Sequence, residues 1–418
     1  MSKCSGNKNA NIRPTDPCSA SPASASGSCS SAPTSGPPKD APTDALAWFG
    51  KMIENCLDYA RAQQAAGRPI VGILCEYTPR ELILAAGAVP VCLCGGSATT
   101  IPAAEEHLPS LLCPLIKSTY GYHLLKSNPF LEMAALVVAE TTCDGKKKMY
   151  ELMAESRPMY VLELPQKEDD RDAMEHWVRE MRKLKRELET RFVVEITDEK
   201  LREAIAVMNH ERALRRELAS LMKSDTPPLT GRQLLELKSS ISGIPADLEH
   251  YEEALKGLKT RQPVAGIASC VRVLLTGVPL VHGAERVLEI IEDHGGLAVG
   301  MENCTGLRPI LDDVATDGGD PLLALAQKYY QIPCSVKTRN EARMESLRKL
   351  AAEYRAQCVI ELVWQGCLTY AVESFRVKRL AEQTLGIPYL RIETDYSPSD
   401  SARIALRVEA LFETVRGG

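Results

Sequence analysis

Glu140-Thr-Thr-Cys143-Asp-Gly-Lys-Lys-Lys-Met-Tyr150 is the stretch on which the reading of this 418-residue chain turns. Before it runs Ala134-Ala-Leu-Val-Val-Ala139, short, apolar and β-branched, which predicts a buried strand. After the cysteine, Lys146 to Met153 reads as a helix. A thiol is thereby delivered to the carboxyl end of a parallel strand, where open α/β sheets place their ligands. Thirty residues upstream, Cys113-Pro-Leu-Ile-Lys-Ser-Thr-Tyr120-Gly offers a second thiol.

Working outward, the same alternation recurs. Apolar residues at helical spacing from Asp44 to Gln64 predict a helix that ends at Gly67. Pro69 to Cys75 and Ala88 to Cys94 read as strands. Between them lies a helix with Thr78 as N-cap, Pro79 at its first position and Gly87 as its stop. This βαβ rhythm implies a parallel sheet. From residue 166 to 262 the chain turns highly charged. Met174, Trp177, Val178, Met181, Leu184 and Leu188 form one apolar stripe, and Leu201, Ile205 and Met208 start another, the charges reading as solvated faces. The rhythm resumes with strands at Val271 to Gly277, Leu297 to Cys304 and Cys358 to Trp364. The expected organisation is a disordered Ser/Ala/Pro/Gly tail (1–43), an α/β domain (44–165), a helical insert (166–262) and a second α/β domain (263–418).

Composition narrows the class. Asp+Glu 55 against Lys+Arg 50 gives a mildly acidic chain, which argues against a nucleic-acid surface. No apolar run has the length of a membrane span. The N-terminus lacks the basic-then-apolar pattern of a secretory signal, so a cytoplasmic protein is expected. Fourteen cysteines are many for such a protein, and without export, metal or redox use is favoured over disulfides. About half of them are expected to be small buried hydrophobes, Cys56 and Cys358 first, and Cys4, Cys18 and Cys29 incidental thiols of the tail.

The two halves match in outline. Leu136 to Cys143 resembles Ile360 to Cys367, each ahead of a helix. Leu108 to Lys117, with Cys113, resembles Ile332 to Lys337, with Cys334. Gly87 to Cys94 resembles Gly296 to Cys304. An internal duplication would therefore bring strand-end cysteines of two flavodoxin- or Rossmann-like domains to one interface. Structural zinc prefers closely paired Cys such as C-x₂₋₄-C. Thiolates spread over separate strands suit an iron–sulfur cluster better.

The motifs Cys-Pro-Leu-Ile-Lys-Ser-Thr-Tyr-Gly, Glu-Thr-Thr-Cys-Asp-Gly-Lys-Lys-Lys-Met-Tyr-Glu and Glu-Asn-Cys-Thr-Gly resemble the 2-hydroxyacyl-CoA dehydratase and benzoyl-CoA reductase superfamily. Within it the chain is most similar to the anaerobic reductases that carry a double-cubane cluster, over about residues 44 to 415. The resemblance implies a homodimer, an oxygen-sensitive cluster, a small-molecule substrate and a separate ATP-hydrolysing iron–sulfur activator. This chain has no G-x-x-x-x-G-K-[ST] loop with which to hydrolyse ATP itself. Two four-iron cubanes need six cysteine caps when one sulfide bridges the remaining pair. Cys113, Cys143, Cys304, Cys334 and Cys367 are five candidates. Cys75, in a Cys-x-Tyr-x-Pro-x-Glu-Leu pattern associated with the family, is taken as the sixth, and Cys94 is the alternative that the internal alignment favours.

Glu140, Glu302, Tyr120 and Lys117 are candidates for proton delivery or for hydrogen bonds to the cluster. Backbone N–H groups at the helix start after Cys143 would favour an anionic group there. Lys146 to Lys148 reads either as a docking patch for an acidic partner or as a solvated helix face. The rival readings are a 2-hydroxyacyl-CoA dehydratase or aryl-CoA reductase subunit with one [4Fe-4S] cluster, a non-catalytic electron carrier, and a zinc-stabilised scaffold.

Overall fold

Ile70–Ile73 (β1) and Val89–Cys92 (β2) pair in parallel, and β1 pairs on its other side with Ala134–Glu140 (β3), which pairs with Met159–Leu162 (β4). Val271–Gly277 (β5), Gly296–Glu302 (β6), Cys358–Trp364 (β7) and Tyr389–Thr394 (β8) form a second parallel sheet. The strand orders are β2-β1-β3-β4 and β6-β5-β7-β8, one topology used twice. The expected fold class is thereby met: two duplicated α/β halves of flavodoxin-like order. In both, the order reverses beside the first strand, which is where such sheets open a crevice. Every residue of β6 and β7 is buried, as befits parallel strands covered on both faces.

This computed structural model describes residues 43–417. Apart from Thr43, the tail expected over residues 1–43, with Cys4, Cys18 and Cys29, lies outside the described residues. No helix among the described residues is long and apolar enough to cross a membrane.

One apolar core draws on both sheets, joining Ile70, Val89 and Val137 to Val273, Leu275 and Ile360. The charged segment between the sheets packs against each of them. Helix Ala173–Phe192 lays Trp177, Met181, Leu184 and Leu188 under the first sheet. The second half of helix Asp198–Ser220 places Leu214 and Leu218 against Leu274, Val299 and Val359 of the second. Full burial of such a side chain is worth about 1.5–3 kcal/mol. The surface pairs Lys185–Glu189 and Arg191–Glu187 contribute about 0.3–0.5 kcal/mol each. The apolar stripe, not the charge pairing, therefore holds these helices. Behind them Glu81, fully buried, accepts from the Arg212 guanidinium and from Tyr329 Oη at 2.8 Å, tying the first half, the connecting helices and the second half together. Cys56 and Cys358 are core residues, 1% and 0% exposed.

Two local expectations are corrected. The helix foreseen from Asp44 to Gln64 is two helices, Thr43–Gly50 and Met52–Ala65, broken at Lys51. The break lets Ala45 and Phe49 enter one core while Met52, Cys56 and Ala60 enter another. Thr78 does not cap the helix Arg80–Ala85, whose N-cap is Pro79. Its hydroxyl instead donates to the buried carboxylate of Glu140. Gly87, at φ +73°, does stop that helix.

Candidate metal centre

Strand ends place the thiols. Cys75 follows β1 and Cys304 follows β6, each by two residues past the last strand position. Cys143 and Cys367, three residues past β3 and β7, are the N-cap residues of helices Asp144–Ala154 and Leu368–Arg379. Cys113 is the N-cap of Pro114–Leu125, and Cys334 lies in the loop after Pro321–Tyr330. All six line one cavity of about 370 Å³ between the two sheets, and Cys92 and Cys94 line it too. Apolar side chains such as Leu112, Ile116, Val278 and Val336 complete its wall.

The thiols act on one another. Cys113 is pulled below the ordinary thiol range by the Cys367 S–H, against the effect of burial, and Cys367 is raised correspondingly. Burial pushes Cys304 up to about 12 and Cys94 up to about 11. Burial also raises Cys75 and Cys143. A set of buried thiols held in the neutral form is costly to ionise unless cations or N–H donors compensate.

Compensation is built in. None of the three N-cap cysteines makes a full capping hydrogen bond. Even so, the amides of Leu115 and Ile116 at Cys113, Lys146 at Cys143 and Tyr370 at Cys367 favour the thiolates. Lys146 lines the cavity and its Nζ donates to Leu74 O at 2.7 Å. Burial opposes its charge, but Tyr150, Cys75, Cys94 and Cys143 hold it well above the usual lysine range. The reading of Lys146 as part of a solvated or docking face is therefore corrected, whereas Lys147 and Lys148 are exposed.

On the other side Arg308 Nη1 lies 3.6 Å from Cys304 Sγ and donates to Tyr370 Oη at 2.6 Å, and Tyr370 Oη is 3.9 Å from Cys334 Sγ. Arg308 Nε donates to Glu302 Oε1 at 2.8 Å. Arg343 reaches Glu302, Glu361, Glu373 and Thr276 from one fully buried guanidinium.

The proton-delivery candidates separate. Glu140 is fully buried at the end of β3, and burial pushes its carboxyl up to about 8 while Thr78 and Lys146 pull it down. Its Oε2 has no hydrogen-bond partner among the described residues. Glu302 is buried in the arginine network. None of the four is among the cavity-lining residues. Lys117 Nζ donates to Glu105 at 2.7 Å and Ser110 O at 2.6 Å, and Tyr120 Oη pairs with His107 Nδ1 at 3.0 Å. Arg308, Arg343 and Tyr370 escape sequence reading because nothing in their spacing marks them.

A close backbone approach joins the two halves here. Gly366, at φ +74°, sits so near the loop before Cys113 that a Cβ would lie 2.2 Å from Leu111 O. Gly366→Ala is expected to cost more than about 2 kcal/mol, since positive φ alone costs an L-residue about 1–2 kcal/mol. Gly67, at φ +81° with nothing within 4 Å, serves as the control that carries only the backbone term. Denaturant unfolding of both variants checks this, and equal losses would refute the close approach.

Residues 75–415 match the family described as 2-hydroxyglutaryl-CoA dehydratase, D-component. The "Putative dehydratase subunit YjiM" of Escherichia coli (strain K12) is 41% identical over 352 residues, covering 83% of this chain and 91% of that protein. The (R)-phenyllactyl-CoA dehydratase beta subunit of Clostridium sporogenes is 24% identical, covering 88% and 97%. A benzoyl-CoA reductase subunit of Thauera aromatica is 23% identical, covering 74% and 81%. With the family matched along most of its length, and the duplicated sheets and shared thiol cavity of its fold, the chain belongs to the 2-hydroxyglutaryl-CoA dehydratase D-component family.

Proposed function

We propose that this chain is a low-potential reductase of small substrates whose thiol cavity holds a double-cubane iron–sulfur cluster, charged by an ATP-hydrolysing iron–sulfur activator and working as a homodimer. The observation that carries this reading is the meeting of Cys75, Cys113, Cys143, Cys304, Cys334 and Cys367, three from each half, at one cavity. The donor set fits such a group in a further way. Thr142 and Trp364 line the same cavity, and Thr142 Oγ1 and Trp364 Nε1 are buried without a hydrogen-bond partner among the described residues, which leaves both free to donate to sulfide.

For the sixth position, burial acts first and Lys146 next on both Cys75 and Cys94, and Cys75 also feels Cys304 and Cys334 from the other half. This favours Cys75. When bound, a cluster of this type supplies low-potential electrons. The chain's own part is to hold, dry and balance it. Lys146 and Arg308 place positive charge beside the sulfur set from opposite halves. The apolar wall excludes water, which strengthens both of these charges. Glu140, whose carboxyl burial raises to about 8, holds its proton more readily than an ordinary carboxyl and leaves Oε2 unengaged among the described residues.

The names of the CoA-linked relatives support a second reading, a dehydratase-type subunit with one [4Fe-4S] cluster. Iron and acid-labile sulfide analysis of protein purified without oxygen separates the two. About eight irons per chain are expected for the double cubane, and about four would favour the second reading.

A further inference from the structure

A second cavity, of about 440 Å³, adjoins the thiol cavity and shares Cys92, Cys94, Cys304 and Glu76 with it. Its charges are unevenly spent. Arg212 is committed to Glu81 behind the wall, and Arg215 Nη1 rests 3.5 Å from Glu211 Oε1. Arg80, 8% exposed, gives Nη2 to Glu76 at 2.9 Å and approaches Cys92 Sγ at 3.6 Å, but its buried Nε–H has no partner among the described residues. Lys238 donates to Leu280 O at 3.2 Å and has no carboxylate within 4.0 Å among the described residues. Ser240 Oγ finds only the weakly accepting Met52 thioether, at 3.2 Å.

These groups line the one cavity, together with the carboxylates of Glu54, Glu76 and Glu211. Cys92 feels both Arg80 and Arg215, and Lys238 in turn feels Cys92 and Arg215. A buried ammonium without a counter-charge favours an anion beside it. The volume is at the small end of the roughly 300–1,000 Å³ typical of ligand pockets.

We infer that this second cavity binds a small carboxylate or oxoanion, held by the Lys238 ammonium beside the Arg80 side chain and against the cysteine wall. Resting on the cluster reading of the neighbouring cavity, this makes the substrate a small anion in place of a nucleotide-bearing thioester. Binding itself requires only the cations.

The test is calorimetric titration of the full chain, purified without oxygen, with acetate, inorganic sulfate and coenzyme A, with iron measured on the same samples. Burial brings Lys238 down to about 8, so the titration is run at about pH 7, where the ammonium persists. Acetate or sulfate is expected to bind at one site per chain. Lys238→Gln, which keeps a donor for Leu280 O, should weaken that binding by ~10-fold or more, and Lys238→Arg should hold it within ~3-fold. No binding of either anion, an unchanged affinity in Lys238→Gln, or displacement of acetate by tighter coenzyme A binding overturns the inference. Iron present without anion binding removes this inference alone. Anion binding without iron removes the cluster reading and leaves the anion site standing.

Discussion

Cys143→Ala, purified without oxygen, is expected to lose most of its iron while remaining folded. The thiol stands where β3 passes into the helix Asp144–Ala154, on the wall of the cavity and only partly buried. Removing its sulfur therefore leaves no core void, but it deletes one cap from a set in which Cys143 lies within electrostatic reach of Cys367 and Cys334. An iron left without its thiolate in a wall of apolar side chains has only water to complete its shell, and soft sulfur donors are what retain it. Cys358→Ala gives the contrast. That sulfur is 0% exposed inside β7 and does not line the cavity, so its loss is a packing defect of roughly 1 kcal/mol with iron retained. Iron analysis with unfolding curves on both variants checks this. Full iron in Cys143→Ala would reject its assignment as a ligand.

Arg343→Met is expected to be the most destabilising single change outside the cysteines. The guanidinium and the carboxylates of Glu302 and Glu361 are fully buried, and Glu373 is nearly so. Its partners come from four places: β5 through Thr276, the end of β6 through Glu302, β7 through Glu361 and the helix after Cys367 through Glu373. Methionine fills much of the volume, but it leaves three buried carboxylates: Glu302 keeps Arg308, while no other Lys or Arg among the described residues lies within 4.0 Å of Glu361 or Glu373. Breaking a buried pair by removing one partner costs about 3–5 kcal/mol, because the orphaned charge is the expense. Arg343→Lys should recover little, since one ammonium cannot reproduce a planar five-donor fork. A shift below about 1 kcal/mol in denaturant unfolding of Arg343→Met would show that the network does not bear the load assigned to it.

Much of this architecture was legible in the residues, for reasons that can be named. β3 and β7 stood out because strands buried on both faces are continuous apolar runs, and their cysteines followed at equal distances. The stripe from Trp177 to Leu188 stood out because nothing else in a charged segment is apolar at helical spacing. The edge strands β4 and β8 did not. Each has one neighbour and a mixed pattern of burial, so their sequences carry a weaker strand signal. Thr78 misled because a threonine before Pro-Arg-Glu carries a strong capping signal, yet a buried carboxylate 62 positions away competes for its hydroxyl. Lys146 misled for the same kind of reason. Three consecutive lysines look alike in sequence, and only the helix's rotation turns the first towards Leu74 O. Arg308, Arg343 and Arg80 were silent, since a buried arginine is defined by partners that no local pattern announces.

The most direct test is an iron-edge anomalous difference map from crystals of the full chain grown without oxygen. The reading predicts one compact set of peaks between the two sheets, contacted by Cys75, Cys113 and Cys143 from one half and by Cys304, Cys334 and Cys367 from the other. Iron bound to cysteines of one half alone, or no iron in that cavity, would contradict it.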